Sequence, residues 1–170
     1  APTAHDNLGL LGPIIITAQG QANPDGTTKG VDRDLVNLYQ VIAENSSSVA
    51  FINNGNFSNL NATGSEKNVI NGYVWCNIPG MTMNLGENVR WHVASMGSAE
   101  SGHNVHWHGN TLLSDGHRVD HIALLGSNTA TLDMSVKNPG VWLNHCHVNK
   151  HADGGMVLVY TVLNPNNESY

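Results

Sequence analysis

The chain has 170 residues, 40% hydrophobic and 12% charged, and its 7 Lys+Arg against 13 Asp+Glu give a net charge of −6. That is the size of one domain able to bury a core of its own. No basic stripe exists, which argues against a nucleic-acid or anionic-membrane surface, and no apolar run reaches the ~18 residues of a membrane helix.

In chain order, residues 1–30 read as a linker or N-terminal arm and residues 31–170 as a single domain. The arm shows little periodicity apart from Pro13-Ile14-Ile15-Ile16-Thr17, and 19–30 is rich in Gly, Asn and Thr, as a loop is. The chain opens without a Met or a signal-peptide pattern, so a mature product or an excised domain is expected. Residues 35–42 form a buried strand by β-branched content and length. Residues 44–65 are a long polar connection carrying Asn45-Ser46-Ser47, Asn56-Phe57-Ser58 and Asn61-Ala62-Thr63, and Asn167-Glu168-Ser169 is a fourth match to Asn-X-Ser/Thr. These sequons point to a secreted, extracellular (or periplasmic or luminal) glycoprotein.

Short apolar runs then recur at 69–75, 88–95, 103–113, 118–125, 129–136, 141–147 and 156–163. Turn residues such as Pro79-Gly80, Gly97-Ser98, Asp115-Gly116 and Pro139-Gly140 separate them. Regularly spaced short strands predict an all-β chain, a Greek-key β-sandwich. No convincing helix-period segment appears. Of the two cysteines, Cys76 reads as a buried small hydrophobe at a strand end beside Trp75; the alternative is an intermolecular disulfide.

The chemistry is concentrated in two places. One is Asn144-His145-Cys146-His147-Val148-Asn149-Lys150-His151-Ala152-Asp153-Gly154-Gly155-Met156; the other is His103-Asn104-Val105-His106-Trp107-His108-Gly109. Side chains alternate faces along a strand. Val141, Leu143, His145 and His147 therefore share one face, and Trp142, Asn144 and Cys146 the other. A loop after His147 brings His151 and Met156 back to the Cys146 side. His106 and His108 likewise share a face, with His103 just before the strand. If the two strands are neighbours, His103, Cys146, His151 and Met156 meet on one side, and His106, His108, His145 and His147 face outward together. Thiolate and imidazole in a trigonal set with a long axial Met is the ligand chemistry of a blue-copper centre. A zinc site is the competitor, but it leaves Met156 without a role. Backbone bonds from Cys146 to both His145 and His147 offer electrons a covalent route between the two sites.

At these residues the chain resembles the multicopper oxidases, and within them the ceruloplasmin and hephaestin branch. Gly9-Leu10-Leu11-Gly12-Pro13, Val31-Asp32-Arg33-Asp34, Asn71-Gly72-Tyr73-Val74, Pro79-Gly80-Met81-Thr82-Met83 and Met96-Gly97 continue the resemblance, which runs from about residue 8 to 163. It implies a cupredoxin domain, the C-terminal, even-numbered type. It also implies type 1 copper ligands His103, Cys146, His151 and Met156, a type 2 ligand in His106, and type 3 ligands in His108, His145 and His147. Two departures stand out. A full trinuclear cluster needs four imidazoles from each of two domains, and His5, His92, His117 and His121 form no His-X-His pair. Another cupredoxin domain or a homo-oligomer would have to complete the cluster. The acidic residues and His that bind ferrous iron in ceruloplasmin-type ferroxidases are replaced by Lys150, Thr63 and Asn68, with Glu44, Glu66 and Asp153 off the pattern, so the iron site is expected to be absent.

The leading expectation is a multicopper-oxidase blue-copper domain. It would take electrons from a small-molecule, metal-ion or protein donor and pass them by Cys146 to His145 and His147, and on to a dioxygen-reducing site shared with a partner. The alternative is a stand-alone cupredoxin electron carrier, with a possible extra metal on the four-His face. A nitrite reductase is a variant of it, and a non-catalytic scaffold ranks last. Trp107 reads as core, or as a wall of the type 1 pocket. His117 and His121, four apart around a turn, read as solvent-facing before a labile metal pair. Asn144 and Asn104 are candidates to hydrogen-bond near the Cys146 sulfur or to brace His103. His92 reads as a satisfied strand histidine.

Overall fold

A computed structural model describes residues 9–43, 66–96 and 102–165. The four sequons, His5, Glu44 and Thr63 lie outside the described residues. Among the described residues, eleven strands form two packed sheets and one short helix lies between two of the strands. The strands are β1 (Arg33–Ala43), β2 (Glu66–Ile70), β3 (Thr82–Asn84), β4 (Asn88–Met96), β5 (His103–Trp107), β6 (Leu112–Ser114), β7 (His117–Val119), β8 (His121–Leu124), β9 (Thr129–Ser135), β10 (Gly140–Cys146) and β11 (Val157–Leu163). The helix α1 (Asn149–Asp153) lies between β10 and β11. The six-stranded sheet runs β2-β1-β4-β9-β6-β7 and the five-stranded sheet β3-β11-β10-β5-β8. β1 with β4 and β11 with β3 are parallel; the other pairs are antiparallel.

Alternation sets the sandwich. Along β4, Val89, Trp91, Val93 and Ser95 are buried and their neighbours are not, as a strand with one face on a core requires. Along β11, Leu158, Tyr160 and Val162 are the buried set. The inner faces meet at Trp91, which packs edge-on against Trp107 at 5.8 Å and Tyr160 at 5.9 Å between ring centroids. All three are at most 1% exposed, and losing either tryptophan to Ala would cost about 3–5 kcal/mol.

The run at 69–75 is not one strand. β2 ends at Ile70, where Asn71 and Gly72 take positive φ (52° and 82°) and a tight reversal joins Ile70 to Tyr73. The Asn71 side chain holds this turn to β1 by donating to the Val36 carbonyl and accepting from the Leu38 amide. Cys76 is consequently exposed, not buried: it sits on the loop that follows, in a left-handed conformation with φ 64°.

The runs at 103–113 and 118–125 each change sheets midway. The chain leaves the five-stranded sheet after Trp107, makes β6 and β7 in the other sheet, and returns as β8. Gly109 permits the first crossing: its φ is +72°, and a Cβ there would stand 2.1 Å from the Trp142 ring. Asn110 then clamps the crossing to the next connection, accepting from the Lys137 and Asn138 amides.

Candidate metal centres

β5 and β10 are neighbours in the five-stranded sheet, with Cys146 opposite Val105, His145 opposite His106 and Asn144 opposite Trp107. This pairing places both motifs on one platform. The burial pattern of β10 matches the alternation read from the sequence: Asn144 and Cys146 point inward, Val141 and Leu143 outward, and His145 is half-buried on the outer side.

On the inner side Cys146 Sγ lies 3.7 Å from His103 Nδ1 and 3.5 Å from His151 Nδ1. The two imidazole centroids are 4.9 Å apart. Bonds of about 2.0 Å to nitrogen and about 2.3 Å to sulfur, arranged trigonally, would separate sulfur from nitrogen by ~3.7 Å. The three side chains are thus spaced as they would be around one ion. His151 is delivered by α1, whose first turn is fixed by its amide donating to the Val148 carbonyl. Met156 follows the Gly154-Gly155 turn, and its carbonyl accepts from the Cys146 amide at 3.1 Å. Glycine is required in this turn: a Cβ on Gly154 would meet the Asn68 side chain at 2.1 Å, and Gly155 has φ +108° with Val74 and Trp75 against it.

The chemistry of the pocket suits a thiophilic metal. Burial pushes the Cys146 thiol up, while the backbone amides of Asn104 and Val148 aimed at the sulfur act the other way and favour the thiolate. Burial, then the nearby His151, pulls His103 down to about 4. His151 is lowered by burial and by Lys150, with Glu66 opposing. Both rings are therefore neutral near pH 7, with a lone pair free to coordinate. His103 Nε2 is fully buried and has no protein partner, so nothing holds that ring in place except packing and whatever its Nδ1 faces. Cys146 and Met156 are fully buried and His103 is 3% exposed; His151, at 8%, is the member of the set nearest to solvent.

On the outer side the ring nitrogens of His106, His108 and His145 lie within 4.8 Å of one another. His108 Nε2 and His145 Nε2 face each other at 3.1 Å, a separation that two ligands of one ion with bonds of about 2.0–2.1 Å reach at an angle of about 100°. His145 Nδ1 is engaged by the Cys146 carbonyl at 3.0 Å and His106 Nδ1 by the Asp120 carbonyl at 3.0 Å. Those contacts leave Nε2 as the free nitrogen of each ring. His147 is exposed and stands outside the tight group, with its ring 5.5 Å from His145 and 5.6 Å from His106. Burial lowers His106 and His108 from the ordinary imidazole value, and the neighbouring imidazoles add to it.

Several single residues now have places. Asn144 turns away from the sulfur: its side chain accepts from the Tyr39 hydroxyl and donates to the His106 carbonyl. Asn104 reaches the sulfur through its backbone amide, not its side chain. Trp107 is core. His92 is satisfied by Asp34 at 2.8 Å. Lys150 pairs with Glu66 at 3.5 Å, so a carboxylate that looked unrelated in sequence stands beside the His151 edge. Tyr39, fully buried with its ring 6.2 Å from His103, had no signal in the sequence beyond its place in a buried strand. His117 and His121 lie on strands of different sheets and do not form a pair with each other.

Comparison with known proteins agrees with this geometry. The multicopper oxidase family model matches residues 42–166. Hephaestin of Rattus norvegicus is 35% identical over 169 residues, covering 91% of this chain and 15% of that protein. Ceruloplasmin of Homo sapiens is 31% identical over 168 residues, covering 91% of this chain and 16% of that protein. The chain thus spans about 15% of the length of such relatives. Among solved structures, a multicopper oxidase from Campylobacter jejuni described as a metallo-oxidase superposes with a TM-score of 0.57 at 19% identity, over 80% of this chain and 31% of that one. A multi-copper oxidase from Pediococcus acidilactici gives 0.59 at 14% identity, over 95% of this chain and 30% of that one. These two share the fold, a cupredoxin-type β-sandwich. Copper is the metal the family implies, and the buried cysteine–imidazole set fits it. The chain belongs to the multicopper oxidase family, as a cupredoxin domain of the ceruloplasmin and hephaestin type.

Proposed function

We propose that this chain is the blue-copper domain of a multicopper oxidase. His103, Cys146, His151 and Met156 hold the type 1 copper. His106 serves the type 2 position, and His108, His145 and His147 the type 3 positions, of a dioxygen-reducing cluster completed by another cupredoxin domain or a second copy of this chain. Copper supplies one-electron redox chemistry between its two oxidation states. The protein supplies the rest. His151, the member of the buried set nearest to solvent, faces the electron donor. The amides of Asn104 and Val148 stabilise negative charge on Cys146. The peptide links from Cys146 to His145 and His147 cross the thickness of a single sheet. The carrying observation is that Cys146 sits with His103 and His151 on the inner side while its neighbour His145 joins His106 and His108 on the outer side, with the His147 ring 5.5 Å from His145.

The outer sheet face supports a covering partner. Val141 is 62% and Leu143 38% exposed. Val159 lies opposite Leu143 and Val157 opposite His145, so an apolar strip runs directly into the imidazoles. Exposed apolar area next to metal ligands suits an interface between domains. Secretion is part of the proposal and rests on the sequons.

The test is a pair of variants. Cys146→Ser should abolish intense visible absorption in the copper-loaded protein. His108→Ala should leave that absorption intact while removing dioxygen consumption in the presence of the completing domain. A strong blue or green colour surviving Cys146→Ser would sink the type 1 assignment. The electron-carrier reading would instead be favoured if no added domain ever elicits dioxygen consumption.

A further inference from the structure

A fifth imidazole belongs to the outward face. In β8, His121 lies directly opposite His106 of β5, which in turn lies opposite His145 of β10. Directly opposed residues of antiparallel strands share a face, with Cβ atoms about 4.5–5.5 Å apart. His145, His106 and His121 therefore form a cross-strand row that ends in solvent at His121, whose side chain is 60% exposed.

Asp120 orients the two outer members of that row. Its carboxylate takes His121 Nδ1 at 2.7 Å, and its carbonyl takes His106 Nδ1 at 3.0 Å. An imidazole whose Nδ1 is held by a carboxylate or carbonyl presents a bare Nε2, which is how proteins prepare histidine for a metal. Here one residue prepares two adjacent rings at once. His121 is not within the 4.8 Å group of His106, His108 and His145. It stands one strand further out, at the rim.

We propose that His121 and His106, with Asp120 fixing both rings, form a capture site for a divalent or cuprous metal ion at the solvent edge of the four-imidazole face. An ion of the kind imidazole favours, copper or zinc, is first held by His121 and His106. It then passes to the converging nitrogens of His106, His108 and His145, with His106 common to both positions. The net charge of −6 favours the approach of cations. This rests on the reading of the outward face as a metal site, and goes beyond it by naming how that site fills.

The experiment uses the full chain with its buried site occupied by cuprous copper, which is diamagnetic, and zinc(II) as the probe. Imidazole nitrogen NMR follows each ring as zinc is added, and stopped flow follows uptake. Once zinc has settled, the shifts should centre on His106, His108 and His145 Nε2, the converging set to which the ion passes, so the capture step is read from the rate of uptake. His121→Asn should slow zinc uptake at the face about tenfold or more while leaving the type 1 visible spectrum of the oxidised copper form unchanged. Asp120→Asn, which keeps the backbone carbonyl, should give an intermediate loss. Unchanged uptake in His121→Asn would overturn the capture site while leaving the four-imidazole reading intact. If no imidazole of the face responds to zinc, both fail together.

Discussion

Acidification of the metal-free chain is the perturbation whose size the buried site sets most directly. His103 is 3% exposed, and its folded-state value is pulled to about 4 from an ordinary 6.5. Between those values the unfolded chain binds a proton that the folded chain refuses, so folding stability rises with pH across that window. The contribution of His103 is flat above about 6.5, falls as pH drops toward 4, and is flat again below. The difference of 6.5 − 4 = 2.5 pH units corresponds to about 3 kcal/mol, a large share of the roughly 5–15 kcal/mol that holds a domain together. His151 is shifted in the same direction and adds to the slope. Urea unfolding of the metal-free protein at pH 7.0 and at pH 4.5, alongside His103→Gln, measures it. The wild type should lose about 2–3 kcal/mol between the two pH values, and His103→Gln should lose markedly less. Equal losses in the two proteins would refute the claim that burial of this imidazole sets the acid sensitivity.

Two further perturbations probe the surroundings of the site. Tyr39→Phe removes the donor to Asn144 in a region without solvent, so stability should fall by about 1–3 kcal/mol with copper content unchanged; a loss below about 0.5 kcal/mol in urea unfolding would mean that Asn144 finds another partner. Lys150→Ala breaks an ion pair whose side chains are 77% and 37% exposed. Stability should change by less than about 1 kcal/mol, but an unpaired Glu66 beside His151 should slow electron uptake from an anionic donor and speed it from a cationic one. Both rate changes should fade as salt is added.

The features legible in the sequence are those governed by the two-residue period of a strand. Alternation from Val141 to His147 separated Cys146 from its two neighbouring histidines, because residue parity alone decides the face; His103, read as just before its strand, is the first residue of β5. What escaped depends on register between distant strands or on local reversals. The row His145–His106–His121 exists only through the pairing of β5 with β8, so in sequence His121 read as a solvent-facing residue whose only visible neighbour was His117. Sheet changes at Gly109 and at Asp120 break two apolar runs that read as continuous strands. The left-handed turn at Asn71-Gly72 ends β2 early and carries Cys76 outward. The helix that positions His151 has five residues, too few to show a helical period. The Glu66–Lys150 contact joins residues 84 positions apart (150 − 66), which no local pattern encodes.

In the proposed function, Cys146, His103, His151 and Met156 bind one copper through the thiolate, apart from the outward imidazoles. The most direct measurement is a copper titration of the chain that follows copper per chain together with visible and EPR spectra. The account predicts that the intense thiolate charge-transfer band grows with the first equivalent and saturates there. Any further copper should add a signal of imidazole-bound ion without adding to that band. A first equivalent that binds stoichiometrically yet leaves the protein colourless, with only an imidazole-type EPR signal, would contradict it.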